Sequence, residues 1–180
     1  MERTLTHVAL FAALIAGLGL IPKFTLAFGV PITAQTLGVM LAGTVLGAKR
    51  GALACLLFIA LVALGLPLLA GGRGGLGVFA SPTVGFLVGW PVAAFVTGFI
   101  VERWRGNLAL VGALASGIGG ILVLYVFGVI GMSVTLGKSL PEAALLVTAF
   151  IPGDVIKAVL AGLITSALAR SRPSSVLSRG

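Results

Sequence analysis

Residues Pro82–Val101 read PTVGFLVGWPVAAFVTGFIV, twenty consecutive positions without a charged side chain. At about 1.5 Å of rise per residue, a helix needs roughly 20 apolar residues to cross a bilayer. The stretch therefore reads as a transmembrane helix. Outward from it the pattern recurs. Apolar runs bounded by charge, proline or glycine clusters fall at Leu5–Ile21, Pro31–Ala48, Gly51–Ala70, Asn107–Ile130 and Pro152–Ala169. The last run is begun at Pro152 rather than near Glu142, because proline suits a helix's first turn and disfavours helix just before it. The expectation is an all-α integral membrane protein: one membrane domain over residues 1–180, folded as a bundle of six transmembrane helices.

Composition points the same way. Of 180 residues, 59% are hydrophobic and 9% charged, and the mean hydropathy is +1.23. A soluble domain carries roughly 25% charged residues, so this chain could not cover itself with a water-facing surface. Its 27 glycines suit helices that pack closely in lipid. The single Cys55 cannot form an internal disulfide. A net charge of +8 can signal nucleic acid, but in so apolar a chain the basic residues read as loop anchors on the lipid bilayer's anionic headgroups, with no nucleic acid as partner.

Charge tests the span count independently, because cytoplasmic loops carry the lysine and arginine excess. With the N-terminus inside, the cytoplasmic group is Arg3, Lys49, Arg50, Arg103, Arg105, Arg170, Arg172 and Arg179. Lys23, Arg73 and Lys138 lie opposite and Lys157 lies within a span, which divides the 12 cations as 8, 3 and 1. Six spans with N- and C-termini cytoplasmic preserve this alternation, whereas five or seven scramble it. The first span is followed by Pro22 and Lys23 rather than a small-residue cleavage site, so it reads as a retained helix.

The outer connections, Pro22–Val30, Pro67–Ser81 and Gly131–Ile151, are the long ones. The middle one contains Gly71-Gly72-Arg73-Gly74-Gly75-Leu76-Gly77, a backbone that can turn sharply, approach a ligand and offer N–H groups, or else act as a mobile linker. Gly72-x-Gly74-x-x-Gly77 matches a dinucleotide fingerprint but follows a membrane helix, not a strand. Gly131 to Gly137-Lys138-Ser139 has one residue too many for a phosphate-binding loop, and Met132 stands where a glycine should. Neither match is assigned a function.

Asp154 and Lys157 stand out in Pro152-Gly153-Asp154-Val155-Ile156-Lys157, because three-residue spacing puts them on one helix face. They read either as a self-neutralising ion pair at the interface or as the polar floor of a ligand site, one accepting and one donating hydrogen bonds. Thr33 and Gln35 are weaker polar signals at the outer start of the second span. A threonine there can bond back to its own helix, whereas the Gln35 amide needs a partner in lipid. Tyr125 and Trp90 read as interfacial or pocket-lining aromatics. His7 is the single histidine, so no metal set of His and Cys can be assembled. One acid placed within a span, Asp154, cannot make the acid chain of a proton-driven transporter, and no cofactor is implied. Ala9 and Ala13, with Ala12 and Ala16, place small residues at four-residue intervals on the first span, a smooth stripe for another helix within or outside the chain.

Several segments together resemble one family: BioY, the biotin-specific substrate-binding subunits (S components) of energy-coupling-factor vitamin transporters. They are Pro31-Ile32-Thr33-Ala34-Gln35-Thr36-Leu37-Gly38, Gly65-Leu66-Pro67, Gly74-Gly75-Leu76-Gly77 with Pro82-Thr83-x-Gly85-Phe86-Leu87-x-Gly89, and Pro152-Gly153-Asp154-x-x-Lys157. Ser81 departs from the glycine expected before Pro-Thr. The resemblance implies biotin capture at the outer face of a bacterial cytoplasmic (inner) membrane, by a multi-pass protein that is no enzyme. Transport energy would come from a membrane coupling subunit and a pair of ATPases. Asp154 would accept from the ureido N–H groups, Lys157 would donate to the ureido oxygen, and Arg73 with Gly74 and Gly75 would meet the carboxylate. Gln35, Thr33 and Tyr125 are further ligand-side residues, and the alanine stripe resembles the surface offered to the coupling subunit. Rival readings are an S component for another vitamin, such as thiamine or riboflavin, and a stand-alone facilitator. The first and third outer loops are the possible lids.

Overall fold

The computed structural model describes residues 2–25 and 31–179, and most of them are helical. In chain order the elements are α1 (Glu2–Leu18), β1 (Phe24–Thr25) paired antiparallel with β2 (Pro31–Ile32), α2 (Gln35–Leu46), α3 (Ala48–Ala63), α4 (Val84–Arg103), α5 (Leu108–Gly117), α6 (Leu124–Leu136), α7 (Leu140–Val147) and α8 (Ile151–Ser171). A π-helical stretch, Ile118–Val123, welds α5 to α6, and a 3-10 turn, Thr148–Phe150, joins α7 to α8. Among the described residues these make six helical rods. Val84–Arg103, Leu108–Leu136 and Leu140–Ser171 are long and apolar enough to cross a membrane, and Thr4–Leu18 and Gln35–Leu46 are shorter apolar helices.

Several rods differ in extent from the expected spans, each for a local reason. The second, expected over 31–48, is helical only from Gln35, because Pro31 and Ile32 pair with β1 instead. It stops at Gly47, whose φ of 86° only glycine adopts easily, so α2 is ~18 Å long. The third, expected over 51–70, begins at Ala48 and ends at Ala63, since Gly65 turns at φ 103° and Pro67 has no N–H to continue the helix. The fifth, expected to end at Ile130, runs on to Leu136, where Gly137 takes the left-handed C-cap conformation. Ser139 then opens α7 with a capping box to Glu142, so the Gly137-Lys138-Ser139 match is a helix stop followed by a helix start. Pro152 does sit in the first turn of α8, but helix already precedes it in α7.

Lipid gives little hydrophobic drive between helices, so close contact must come from small residues. A Cβ built on Gly112 of α5 would lie 2.9 Å from the Gly162 Cα of α8. One on Gly131 of α6 would lie 2.6 Å from Gly85 of α4, so these backbones touch. The outward faces stay apolar: Leu110, Leu122, Val126, Val134, Ile156 and Leu163 are each more than half exposed. Such a surface suits hydrocarbon, not water.

Candidate ligand pocket

A cavity opens where α2, α4 and α8 begin, beneath the segment that links α3 to α4. With its mouth it holds about 590 Å³ of space free of atoms. Thr33, Gln35 and Thr36 line it from the α2 side, Thr83, Phe86, Leu87 and Trp90 from the α4 side, and Phe150, Asp154 and Lys157 from the α8 side. Leu69 and Arg73 lie at the loop.

The polar wall is one network. Lys157 Nζ donates to Asp154 Oδ1 at 2.8 Å and to Thr36 Oγ1 at 3.0 Å. Thr36 Oγ1 lies 3.2 Å from the same Asp154 oxygen, and Tyr125 Oη donates to Asp154 Oδ2 at 2.7 Å. The carboxylate stands in the first turn of α8, where the positive end of the helix dipole favours it. Asp154 is 4% exposed, but its partners do not exhaust the network. An ammonium has three N–H donors and each carboxylate oxygen two lone-pair sites, so Lys157 retains a donor and Asp154 Oδ2 an acceptor. The wall can take a compact neutral group that both donates and accepts.

The loop supplies the cation. Leu69 N–H donates to Arg73 O at 3.0 Å and Arg73 N–H to Leu69 O at 3.2 Å, closing a tight hairpin through Gly71 and Gly72 at φ 80° and 70°. Those two angles are why glycines stand there. The hairpin swings Arg73 to the mouth, where its bonds to Ala70 O and Thr83 Oγ1 are long, 3.4 and 3.5 Å. Partial burial without a carboxylate partner among the described residues lowers the guanidinium's pKa from its usual value. That environment favours an incoming anion. Ser81 donates to Val78 O at 2.6 Å in extended backbone, so no glycine is required there.

Other sequence-derived residues take different places. Gln35 is buried, with Nε2 donating to Ile15 O and Leu68 O, both at 3.1 Å, while Oε1 accepts from Ala70 N–H at 3.0 Å. Its amide is a latch between α1, α2 and the loop. Thr33 Oγ1 accepts from the Gln35 N–H at 3.3 Å. Tyr125 stands behind Asp154 and holds it, while Phe86 meets Tyr125 and Phe150 edge-on at 6.3 and 5.7 Å. Gly74 and Gly75 do not line the cavity. Gly74 packs on Leu66 and Pro67, and Gly75 turns at φ 79° with its N–H on Val62 O. The alanine stripe splits: Ala9 and Ala13 are exposed, whereas Ala12 is 3% exposed and packs with half-buried Ala16 in the core beside Ile15 and Phe58. Sequence reasoning left out Thr36, Thr83, Phe86 and Phe150. Thr36, Thr83 and Phe86 all stand in segments quoted above, Thr36 one residue from Gln35, whereas Phe150 is one apolar side chain among many and carries no signal.

Among the described residues, no three of His, Cys, Asp and Glu gather as a metal site. The profile of the BioY family matches residues 2–174. The chain is 53% identical, over 190 aligned positions covering all of both chains, to the biotin transporter BioY of Rhodobacter capsulatus. It is 56% identical to that of Rhizobium etli over 173 positions, 92% of each chain. A crystal structure of the S-component for biotin from an ECF-type ABC transporter superposes with a TM-score of 0.90 at 31% identity, covering 97% of this chain and 96% of that one.

Proposed function

We propose, from the premise that this chain belongs to the BioY family, an account of how it captures biotin as the S component of an energy-coupling-factor transporter. It is a transporter subunit, not an enzyme. The observation that carries the site assignment is the Asp154–Lys157–Thr36–Tyr125 network on one wall of the cavity, facing Phe86, Leu87 and Trp90 of α4. A ureido ring offers two N–H donors and one carbonyl acceptor, and one of those N–H groups and the carbonyl match the acceptor left on Asp154 Oδ2 and the donor left on Lys157. Tyr125 fixes the carboxylate, and Arg73 at the mouth takes the ligand's carboxylate, the charge-assisted end of the site. Gln35 serves the site indirectly, by holding the hairpin that carries Arg73. The fused rings lie between Phe86, Leu87, Trp90 and Phe150, apolar walls of the kind that small-molecule sites use.

The chain crosses a bacterial inner membrane six times with both termini in the cytoplasm, a reading supported by the 8-to-3 division of loop cations and the apolar rods. Transport energy comes from a membrane coupling subunit and its ATPase pair. The exposed face of α1 with Ala9 and Ala13 is smooth enough to receive the coupling subunit.

Equilibrium binding of biotin, thiamine and riboflavin to the purified, detergent-solubilised chain tests the substrate. Biotin alone is expected to bind, and capture of another vitamin in its place would keep the fold and overturn the substrate. Reconstituted with the coupling subunit and ATPases, Ala13→Leu should bind biotin normally yet lose ATP-driven uptake. Undiminished uptake would remove Ala13 from the docking face, and rapid biotin flux by the chain alone would favour a facilitator.

A further inference from the structure

Trp90 has a polar atom that the site described so far does not use. The residue lines the cavity, is 5% exposed, and its Nε1–H is buried without a hydrogen-bond partner among the described residues. Its companions in the core are Phe58, whose ring centroid lies 5.5 Å away, with Leu69, Leu87 and Leu124. An indole nitrogen can only donate, so none of these side chains can satisfy it. Native interiors leave few such groups unpaired, and one on a ligand cavity is an opening for an acceptor that the ligand brings.

Which acceptor follows from the layout of the walls. Asp154 and Lys157 stand on α8, whereas Trp90 stands on α4, about two turns in from Thr83, a distance matched by Lys157 from the start of α8. In biotin's fused bicycle the ureido carbonyl and the thioether sulfur lie on opposite edges. With the ureido edge against α8, the sulfur edge faces α4. We propose that Trp90 Nε1–H donates to the ring sulfur of biotin, which makes Trp90 the residue that distinguishes a thioether ring from its all-carbon counterpart. A thioether is a soft, weak acceptor that costs little to dehydrate, which suits it to this apolar wall.

The inference rests on the biotin reading and is separable from it. The probes are biotin and its carbocyclic analogue, in which a methylene replaces the ring sulfur. Both are titrated into the parent chain and into Trp90→Phe, and the biotin-to-analogue affinity ratio is compared. The parent is expected to prefer biotin by roughly 3- to 10-fold, the size of one modest hydrogen bond. Trp90→Phe should bring the ratio close to one, because the packing that the smaller ring forfeits is lost to both ligands alike. A ratio that the substitution leaves unchanged would make Trp90 a packing residue and overturn the inference, with biotin binding intact. Failure of the parent to bind biotin at all would instead sink the functional reading and the inference with it. Should Trp90→Phe not fold, Trp104→Phe serves, because Trp104 is about half exposed and outside the cavity and its removal leaves Trp90 as the single indole. In ¹⁵N-labelled Trp104→Phe the indole proton should move downfield on saturation with biotin and less with the analogue. Equal shifts for both would also overturn the inference.

Discussion

Two polar clusters lie at opposite ends of this bundle, and they handle their hydrogen bonds differently. At the end away from the cavity, Thr165 Oγ1 donates to Thr44 Oγ1 at 2.7 Å and Ser178 Oγ to Thr44 O at 2.5 Å. There Glu102 Oε1 accepts from the Ala48 N–H at 2.9 Å, capping α3 where Gly47 breaks the chain. Thr44 and Thr165 are fully buried, and neither lines the cavity. At the pocket end, Asp154, Lys157 and Thr36 are also bonded to one another, but beside open space and with donors and acceptors left over. Polarity alone therefore does not mark a binding site in a membrane bundle. Unused hydrogen-bond capacity facing a cavity does.

The sharpest way to break this contrast is Asp154→Asn. It keeps the shape but removes the charge-assisted acceptor and leaves Lys157 without its counter-charge. Biotin affinity should fall by about 100-fold, the upper part of what a hydrogen bond to a charged group contributes. Isothermal titration would show it, alongside a lower unfolding temperature from the unbalanced Lys157. Full affinity in the variant would make Asp154 and Lys157 a structural ion pair like the polar contacts at the other end.

Arg73→Ala probes the mouth rather than the wall, and a smaller loss of about 10-fold is expected, since a partly exposed cation is screened by solvent. The decisive comparison is with biotin methyl ester, which lacks the charge. Parent and variant should bind the ester equally, because the pair Arg73–carboxylate is then already broken. An ester that still discriminates between them would assign the Arg73 effect to the hairpin it belongs to.

Much of this architecture was legible in the residues. The apolar runs marked all six rods, because lipid demands that backbone groups be satisfied within each segment. Their ends were not equally readable. Pro31 and Ile32 are as apolar as the helix that follows, and only the pairing with β1 removes them from it. Asp154 and Lys157 announced themselves because charge within a span is costly. Gln35 announced itself because a neutral amide in lipid needs partners, yet those partners, the carbonyls of Ile15 and Leu68 and the N–H of Ala70, are backbone groups that any sequence would supply. Gly74 and Gly75 share a run with Gly71 and Gly72, and composition cannot say that the first pair of glycines turns the Arg73 hairpin while Gly74 packs on Leu66 and Pro67 and Gly75 makes a separate turn. Ala12 and Ala13 are neighbours in the chain, and only the packed bundle shows that one faces the core and the other the outside.

The smallest effect belongs to the far cluster, and its smallness is the test. Thr165→Val removes a hydroxyl while keeping the branched shape, so Thr44 loses a donor but retains its own bond to Leu41 O at 3.4 Å. The cost should be about 1 kcal/mol of stability, the usual net worth of one buried hydrogen bond. It should appear as a lower unfolding temperature in detergent. Biotin affinity should change by less than about 2-fold, because the substitution opens no path to the cavity and the two ends share no hydrogen-bonded partner. A loss of 5-fold or more would mean that closing bonds at one end sets the geometry of the other. The two clusters would then be one device spanning the bundle, and the far one could not be read as structural alone.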